Sequence, residues 1–330
     1  VSGDDVSVSI TGANFASANA GTHNVILSSN ATGASVNNYS VVAPGSLTGT
    51  ISQAPVTVTA DAKSMSYGGN ALPTLTYTHS GLVGSDAFSG ALSTSATAYN
   101  GTPGSASNAG TYAILQNTLS AGNNYALTYV GANLTVNKVQ LTVTGNSPSM
   151  TYGGNSLPTL SAAISGYVNG DSAAAGLSGS PTLTTTATAY NGTAGSGSNA
   201  GSYPVSASVA GMSSTNYTFA PAVVEGVLTV NPATLTYTAN AATTTYGATP
   251  TLSGAVSGFV NGDLQATATT GSLSFTTAGR DVGNREITGS GLAANNGNYT
   301  FVQAAGNTAA LTVTPASLTV TANDQAKTYD

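Results

Sequence analysis

The chain has no cysteine and no tryptophan, and only five of its 330 residues are Lys or Arg. Without thiols there is neither a disulfide framework nor a thiolate metal site. So few cations exclude nucleic acid, because phosphate binding needs clustered positive charge, and the net charge of −6 also speaks against an anionic membrane surface. Charged residues make up 5% of the chain, far below the roughly 25% of ordinary soluble domains, so Thr, Ser, Asn and Gly must supply the polar surface. No run of eighteen apolar residues is present, and no membrane-spanning helix is expected. The opening "VSGDDVSVSI" carries neither an initiator Met nor a signal peptide, so the chain is expected to be cut from a longer one. At 40% hydrophobic residues, a packed core is within reach of the composition, and a cysteine-free chain so rich in Ser, Thr and Gly suits a large secreted bacterial protein.

What is present is repetition. Tyr-Gly occurs at Tyr67-Gly68, Tyr152-Gly153 and Tyr246-Gly247, with a further Tyr at Tyr329, giving spacings of 85, 94 and 83 residues. "NAGT" at 19–22 returns as "NAGTY" at 108–112 (Gly110), "NAGSY" at 199–203 (Gly201) and "DVGNR" at 281–285. "NNY" at 37–39 returns ending in Tyr125, Tyr217 and Tyr299. A strand-like join, "LTVNPATLTYTA" in one version, recurs four times. Several landmarks in one order at one period define a tandem array. The boundaries read as three full repeats at 54–138, 139–231 and 232–314. Residues 1–53 are the rear part of an earlier repeat, and 315–330 are the start of a further one.

Each repeat carries β signals. "VTVTA" at 56–60 alternates apolar residues with Thr, and the branched side chains fit a pleated strand. "TLTYTHS" (74–80), "LSTSATAY" (92–99), "TYAIL" (111–115), "YALTYV" (125–130) and "ANLTV" (132–136) continue the pattern between Gly-, Asn- and Pro-rich turns. A short helix is expected after Asp86, Asp171 and Asp263, with the Asp as N-cap. Pro232 and Pro315 stand at the joins between repeats, where a fixed φ and a missing donor make a stiff connection. The fold class is therefore mainly β: small β-rich domains in tandem, forming an extended rod. The alternation does not decide between a β-grasp-like unit, which is favoured, and an immunoglobulin-like sandwich.

Taken together, "YGGNxLPTL", "GxVxGD", "NAGxY" and the closing "LTVxxAxLTVTA" resemble the MBG and YDG-type repeats of bacterial surface proteins, which recur in filamentous-haemagglutinin-like, two-partner-secreted adhesins. The resemblance covers essentially the whole chain, and the ending "AKTYD" is similar to the YDG variant. It implies an extracellular or cell-surface array. The third repeat departs from the pattern, with Ala248 in place of the second Gly and "DVGNREI" in place of "NAGTYAI".

Few residues offer chemistry. The recurring Tyr-Gly reads as a ring packed at the core edge beside a turn glycine with positive φ, not as a ligand platform. Asp86, Asp171 and Asp263 are the only repeating carboxylates. One per repeat, with Asn169 or Asn261 nearby in two, is too few for Ca²⁺, so they read as turn or cap residues and no cofactor is expected. His23 and His79 occupy different repeat positions. Arg280, Asp281, Arg285 and Glu286 form a mixed-charge patch, not the paired carboxylates of a glycosidase. Asn30, Asn38, Asn100, Asn133, Asn191, Asn216 and Asn298 match the glycosylation pattern, in a chain where such matches arise freely. Lys63 and Lys327, just before the Tyr landmark, read as solvated residues and not as cross-linking ones. No nucleophile–base constellation repeats, so an enzyme is not expected.

The function that follows is a structural stalk or spacer in a secreted surface adhesin or matrix fibre. Its partners are the neighbouring repeats of the same chain. The alternative is repeats that themselves bind host or matrix glycan, or that associate side by side with other copies through strand edges lacking blocking charges.

Overall fold

A computed structural model describes residues 1–172, 176–219 and 224–329. The chain divides into two compact units, one of residues 1–140, 166–177 and 213–218, the other of 141–165, 178–212 and 219–330. The chain is mainly β, built as a tandem series of small sheets.

The first unit opens with a three-stranded antiparallel sheet of β1 (Ser7–Phe15), β2 (Gly21–Thr32) and β3 (Thr48–Ile51). The first repeat follows as two small mixed sheets. One has the order β6 (Tyr77–Ser80), β4 (Ala54–Ala60), β9 (Tyr125–Val130). The other has the order β5 (Lys63–Ser66), β10 (Ala132–Asn137), β8 (Gly110–Leu115), β7 (Ser93–Thr94). Two of the passages between the sheets are short, from β4 into β5 through Asp61-Ala62 and from β9 into β10 through Gly131. In consequence the first and last strands pair in parallel in both sheets: Val56 lies opposite Leu127, and Met65 opposite Val136.

The alternation in β4 is a burial pattern. Val56, Val58 and Ala60 point inward and are buried, while Thr57 and Thr59 are not. Leu134 and Val136 of β10 and Ile114 of β8 are also fully buried, and Met65, Leu75, Tyr112 and Tyr129 help close one core cluster with Ala60, Ile114 and Leu134. Burying each such aliphatic side chain contributes about 1.5–3 kcal/mol.

The second unit repeats these pairings. Ser149–Thr151 runs parallel to Gly226–Asn231, Ala233–Ala239 to Tyr299–Gln303, and Ala242–Thr245 to Leu311–Thr314. Its core is formed by Val205, Leu228, Val230, Leu235 and Tyr237, with Ile287, Leu311 and Val313 in a smaller cluster.

Four expectations change. The stretch 92–99 keeps only two residues in a strand, and 74–80 only its second half. No helix follows Asp86; one turn, α1 (Gln265–Ala268), follows Asp263; residues 173–175, after Asp171, lie outside the described residues. Asp263 does not cap α1, because the N-cap position is Leu264 and the Asp carboxylate is engaged elsewhere. Residues 315–329 carry no strand.

Candidate functional site

The repeating landmarks converge where one repeat meets the next. Within the first unit, Tyr67 directly follows β5 and is 4% exposed. Its hydroxyl donates to Asp171 Oδ2 at 2.8 Å and accepts from Asn169 Nδ2 at 2.7 Å. Tyr217 donates to the same Asp171 Oδ2 at 2.8 Å and accepts from the Val168 N–H at 3.1 Å. The two rings meet edge to face, with centroids 5.5 Å apart. Such a pair contributes about 0.5–1.5 kcal/mol beyond its burial.

Asn169 is 3% exposed, at φ +58°, and its Oδ1 accepts the Ala106 N–H at 3.1 Å while its carbonyl accepts the Gly104 N–H. An Asn tolerates this left-handed backbone better than other non-Gly residues. Beside it, Asn216 closes a two-bond clamp on the NAG turn. Its Oδ1 accepts the Ala109 N–H at 2.9 Å, and its Nδ2 donates to Asn108 Oδ1 at 3.0 Å.

The second unit contains the same joint. Tyr152 and Tyr299 donate to Asp263 Oδ2 at 2.8 and 2.7 Å, and Asn261 Nδ2 donates to the Tyr152 hydroxyl at 2.9 Å. Gly197 N–H donates to Asn261 Oδ1 at 2.9 Å. Asn298 clamps Ala200 and Asn199 at 2.8 and 3.0 Å. The Tyr152 and Tyr299 ring centroids lie 5.4 Å apart, again edge to face.

A third, simpler version joins residues 1–53 to the first repeat. Asn124 clamps Ala20 and Asn19 at 2.8 and 3.1 Å, and Tyr125 donates to Asp86 at 2.6 Å. Gly84, at φ +62°, stands where the other joints have Asn169 and Asn261, so the amide donor to a phenol is missing.

Burial is the main cause holding the phenols of Tyr67, Tyr152, Tyr217 and Tyr299 above the usual tyrosine pKa, and the adjacent Asp carboxylates push them further. For Tyr125 the hydrogen bond to Asp86 comes first. All five stay protonated donors at neutral pH.

Gly68 and Gly153 take φ of +72° and +78°. A Cβ at either would stand 2.6 or 2.4 Å from Cγ2 of Val168 or Val260. These glycines serve the turn and also the close approach of the neighbouring repeat. Gly247 shares the positive φ but has open space around it, and Tyr246 is 54% exposed. The third Tyr-Gly thus departs from the core-edge expectation.

The other candidates stay apart from the joints. Gly110 and Gly201 open strands next to the NAG turns, and Pro232 links two strands. Pro315 follows Leu311–Thr314. His23 Nε2 lies 2.7 Å from the Asn19 carbonyl, and His79 packs on Phe88. Arg285 pairs with Asp281 at 3.8 Å on the surface. Among the described residues no group of three His, Asp or Glu is placed to hold a metal. Asn298 is buried, and both its amide atoms are engaged, so it does not fit a glycosylation site. The clamping role of Asn124, Asn216 and Asn298 was not read from the sequence; their recurrence just before the NNY-type tyrosines was the available signal.

Comparison with known families finds one match, to the model described as MBG domain (YGX type), at residues 56–135, 141–229 and 235–309. No similar sequence is found among curated proteins.

Proposed function

The chain belongs to the MBG domain family of the YGX type, and on that premise we propose that it is a stalk or spacer segment of a long secreted bacterial adhesin or matrix fibre. It holds a distal binding region away from the cell, outside the membrane. In this reading it is not an enzyme, uses no cofactor and takes its own neighbouring repeats as partners. No helix among the described residues is long and apolar enough to cross a membrane.

The observation that supports a mechanical role is the repeated joint. In both full joints the recurring polar groups — the Tyr-Gly phenol, the Asp carboxylate and the Asn amides — are engaged in joining repeats. Hydrogen-bonded buried contacts fix the relative orientation of neighbours, and in quasi-one-dimensional arrays stiffness is set joint by joint. Small-angle X-ray scattering on the chain, extrapolated to zero concentration with and without EDTA, tests this. A rod-like profile insensitive to EDTA is expected; a flexible or compact profile would refute the spacer.

The glycan-binding alternative has one feature in its favour. In the second unit a polar cavity of about 200 Å³ is lined by Asn199, Asn261, Asp263, Asn295 and Asn298, with Tyr152 and Tyr299. Saccharide-induced chemical-shift changes confined to these residues would favour it over the spacer.

A further inference from the structure

Asn100-Gly101-Thr102 and Asn191-Gly192-Thr193 occupy the same place in the first two repeats, in the loop that leads to the NAG turn. All six residues are exposed. In both loops the Asn Oδ1 accepts the Thr N–H two residues on, at 3.0 Å. Gly101 and Gly192 both stand at φ +96°, with open space where a side chain would be. An Asn followed by Gly is open to attack by its own main chain, because no side chain shields the next nitrogen. The Thr N–H adds to this. It polarises the Cγ carbonyl and stabilises the oxyanion that forms there during attack.

The chain has three other Asn-Gly pairs, at Asn169-Gly170, Asn261-Gly262 and Asn296-Gly297. Their Asn residues stand at φ of +58°, +57° and +56°, whereas Asn100 and Asn191 lie outside the left-handed region. In the left-handed conformation the following nitrogen stands nearly anti to Cβ, far from closing a ring onto the side chain. Asn169 and Asn261 are also buried, and both atoms of each side-chain amide are hydrogen-bonded. Asn296 is exposed and has its backbone conformation as protection.

We infer that Asn100 and Asn191 are sites of spontaneous deamidation, and that the fold protects the other three Asn-Gly pairs. The Gly101 nitrogen gives up its proton to solvent base and bonds to Asn100 Cγ. The Cγ–Nδ2 bond breaks, and Nδ2 takes a proton from water and leaves as ammonia. Water then opens the succinimide ring at either carbonyl, giving aspartate or isoaspartate. One water is consumed, one ammonia is released and nothing is oxidised. Isoaspartate lengthens the main chain by one methylene beside the joint. There Gly104 N–H donates to the Asn169 carbonyl and Ala106 N–H to its side chain, and a Cβ on Gly170 would stand 2.8 Å from Pro103. Gly195 and Gly197 hold Asn261 in the same way. The first two repeats therefore carry a slow, irreversible change that loosens their joints with age.

Peptide mapping by mass spectrometry tests the inference, with isoaspartate counted by enzymatic methylation. The full chain is incubated at mildly alkaline pH, native and in urea. In urea all five pairs are expected to convert at comparable rates. In the native chain Asn100 and Asn191 should keep nearly that rate, and the other three should be at least tenfold slower. Gly101→Ala should slow Asn100 at least tenfold, with Asn191 of the same molecule as the internal standard. Hydrogen exchange at the Ala106 amide should quicken in the fraction with isoaspartate at position 100. It should not quicken in Asn100→Asp, which adds the charge without the methylene. Asn100 and Asn191 persisting as amides in the native chain, over a time that converts them in urea, would overturn the inference. So would native Asn169 or Asn261 converting as fast as Asn100. Unchanged exchange at Ala106 in the isoaspartate fraction would overturn the loosening of the joint.

Discussion

The joint depends on a few atoms, and single substitutions can separate their contributions. Asn169→Gly keeps the left-handed backbone, as Gly84 shows at the equivalent position, but removes the bonds to Tyr67 and to Ala106 N–H. Loss of about 1–3 kcal/mol is expected from leaving those buried groups unpaired. Native-state hydrogen exchange at the Ala106 amide reads it directly. Gly153→Ala should cost more than Gly247→Ala. Both add a Cβ at positive φ, worth about 1–2 kcal/mol, but only the first drives it into Val260. Urea denaturation of the two variants compares them. The phenols add a pH dependence. Their folded pKa values lie above the ordinary value of about 10. The unfolded chain therefore loses these protons first, and the stabilisation is full below about pH 10 and declines as pH rises toward the folded values. A pH series of melting temperatures should fall above that point, and less steeply in Tyr67→Phe. At this scale the sequence revealed which residues recur but not what they touch. Asp171 and Tyr67 are 104 residues apart, and no local pattern shows that one accepts a bond from the other.

Strands were legible wherever the alternation was long. "VTVTA", "YALTYV" and "ANLTV" became β4, β9 and β10 because Val and Leu on one side and Thr on the other match a half-buried sheet. Leu134, fully buried between β5 and β8 in its sheet, should be the costliest kind of position to truncate: Leu134→Ala is expected to lose about 2–5 kcal/mol by chemical denaturation. β5 was hidden, because "KSMS" has only one apolar residue and owes its strand form to pairing with β10. The parallel pairing of first and last strands was hidden too. It comes from two short passages between sheets, at Asp61-Ala62 and Gly131, that have no sequence signature beyond ordinary turn residues. The helix after Asp86 was overread, and the one after Asp263 forms without its expected cap: in both turns the carboxylate is committed to tyrosine hydroxyls.

The period itself was the strongest signal of the whole chain, and it led to the family. The grouping of residues into compact units was not legible from it. Residues 166–177 and 213–218, which belong by sequence to the second repeat, cluster with the first because Asn169, Asp171 and Tyr217 are bound to its Tyr67 and NAG turn. The scarcity of charge predicts that the thermal midpoint will change little between low and molar NaCl, since few ion pairs exist to be screened; a strong shift would overturn this expectation.

The first and second repeats each carry both halves of one fastening. At one end is a tyrosine with its turn glycine and an NAG loop; at the other, an acceptor Asp and an Asn clamp. Any such repeat therefore fits any other of its kind. For the gene, this means that unequal recombination between copies can add or delete whole repeats, and every new junction meets a matching partner. The length of the array can then drift between generations without a compensating change anywhere else in the protein.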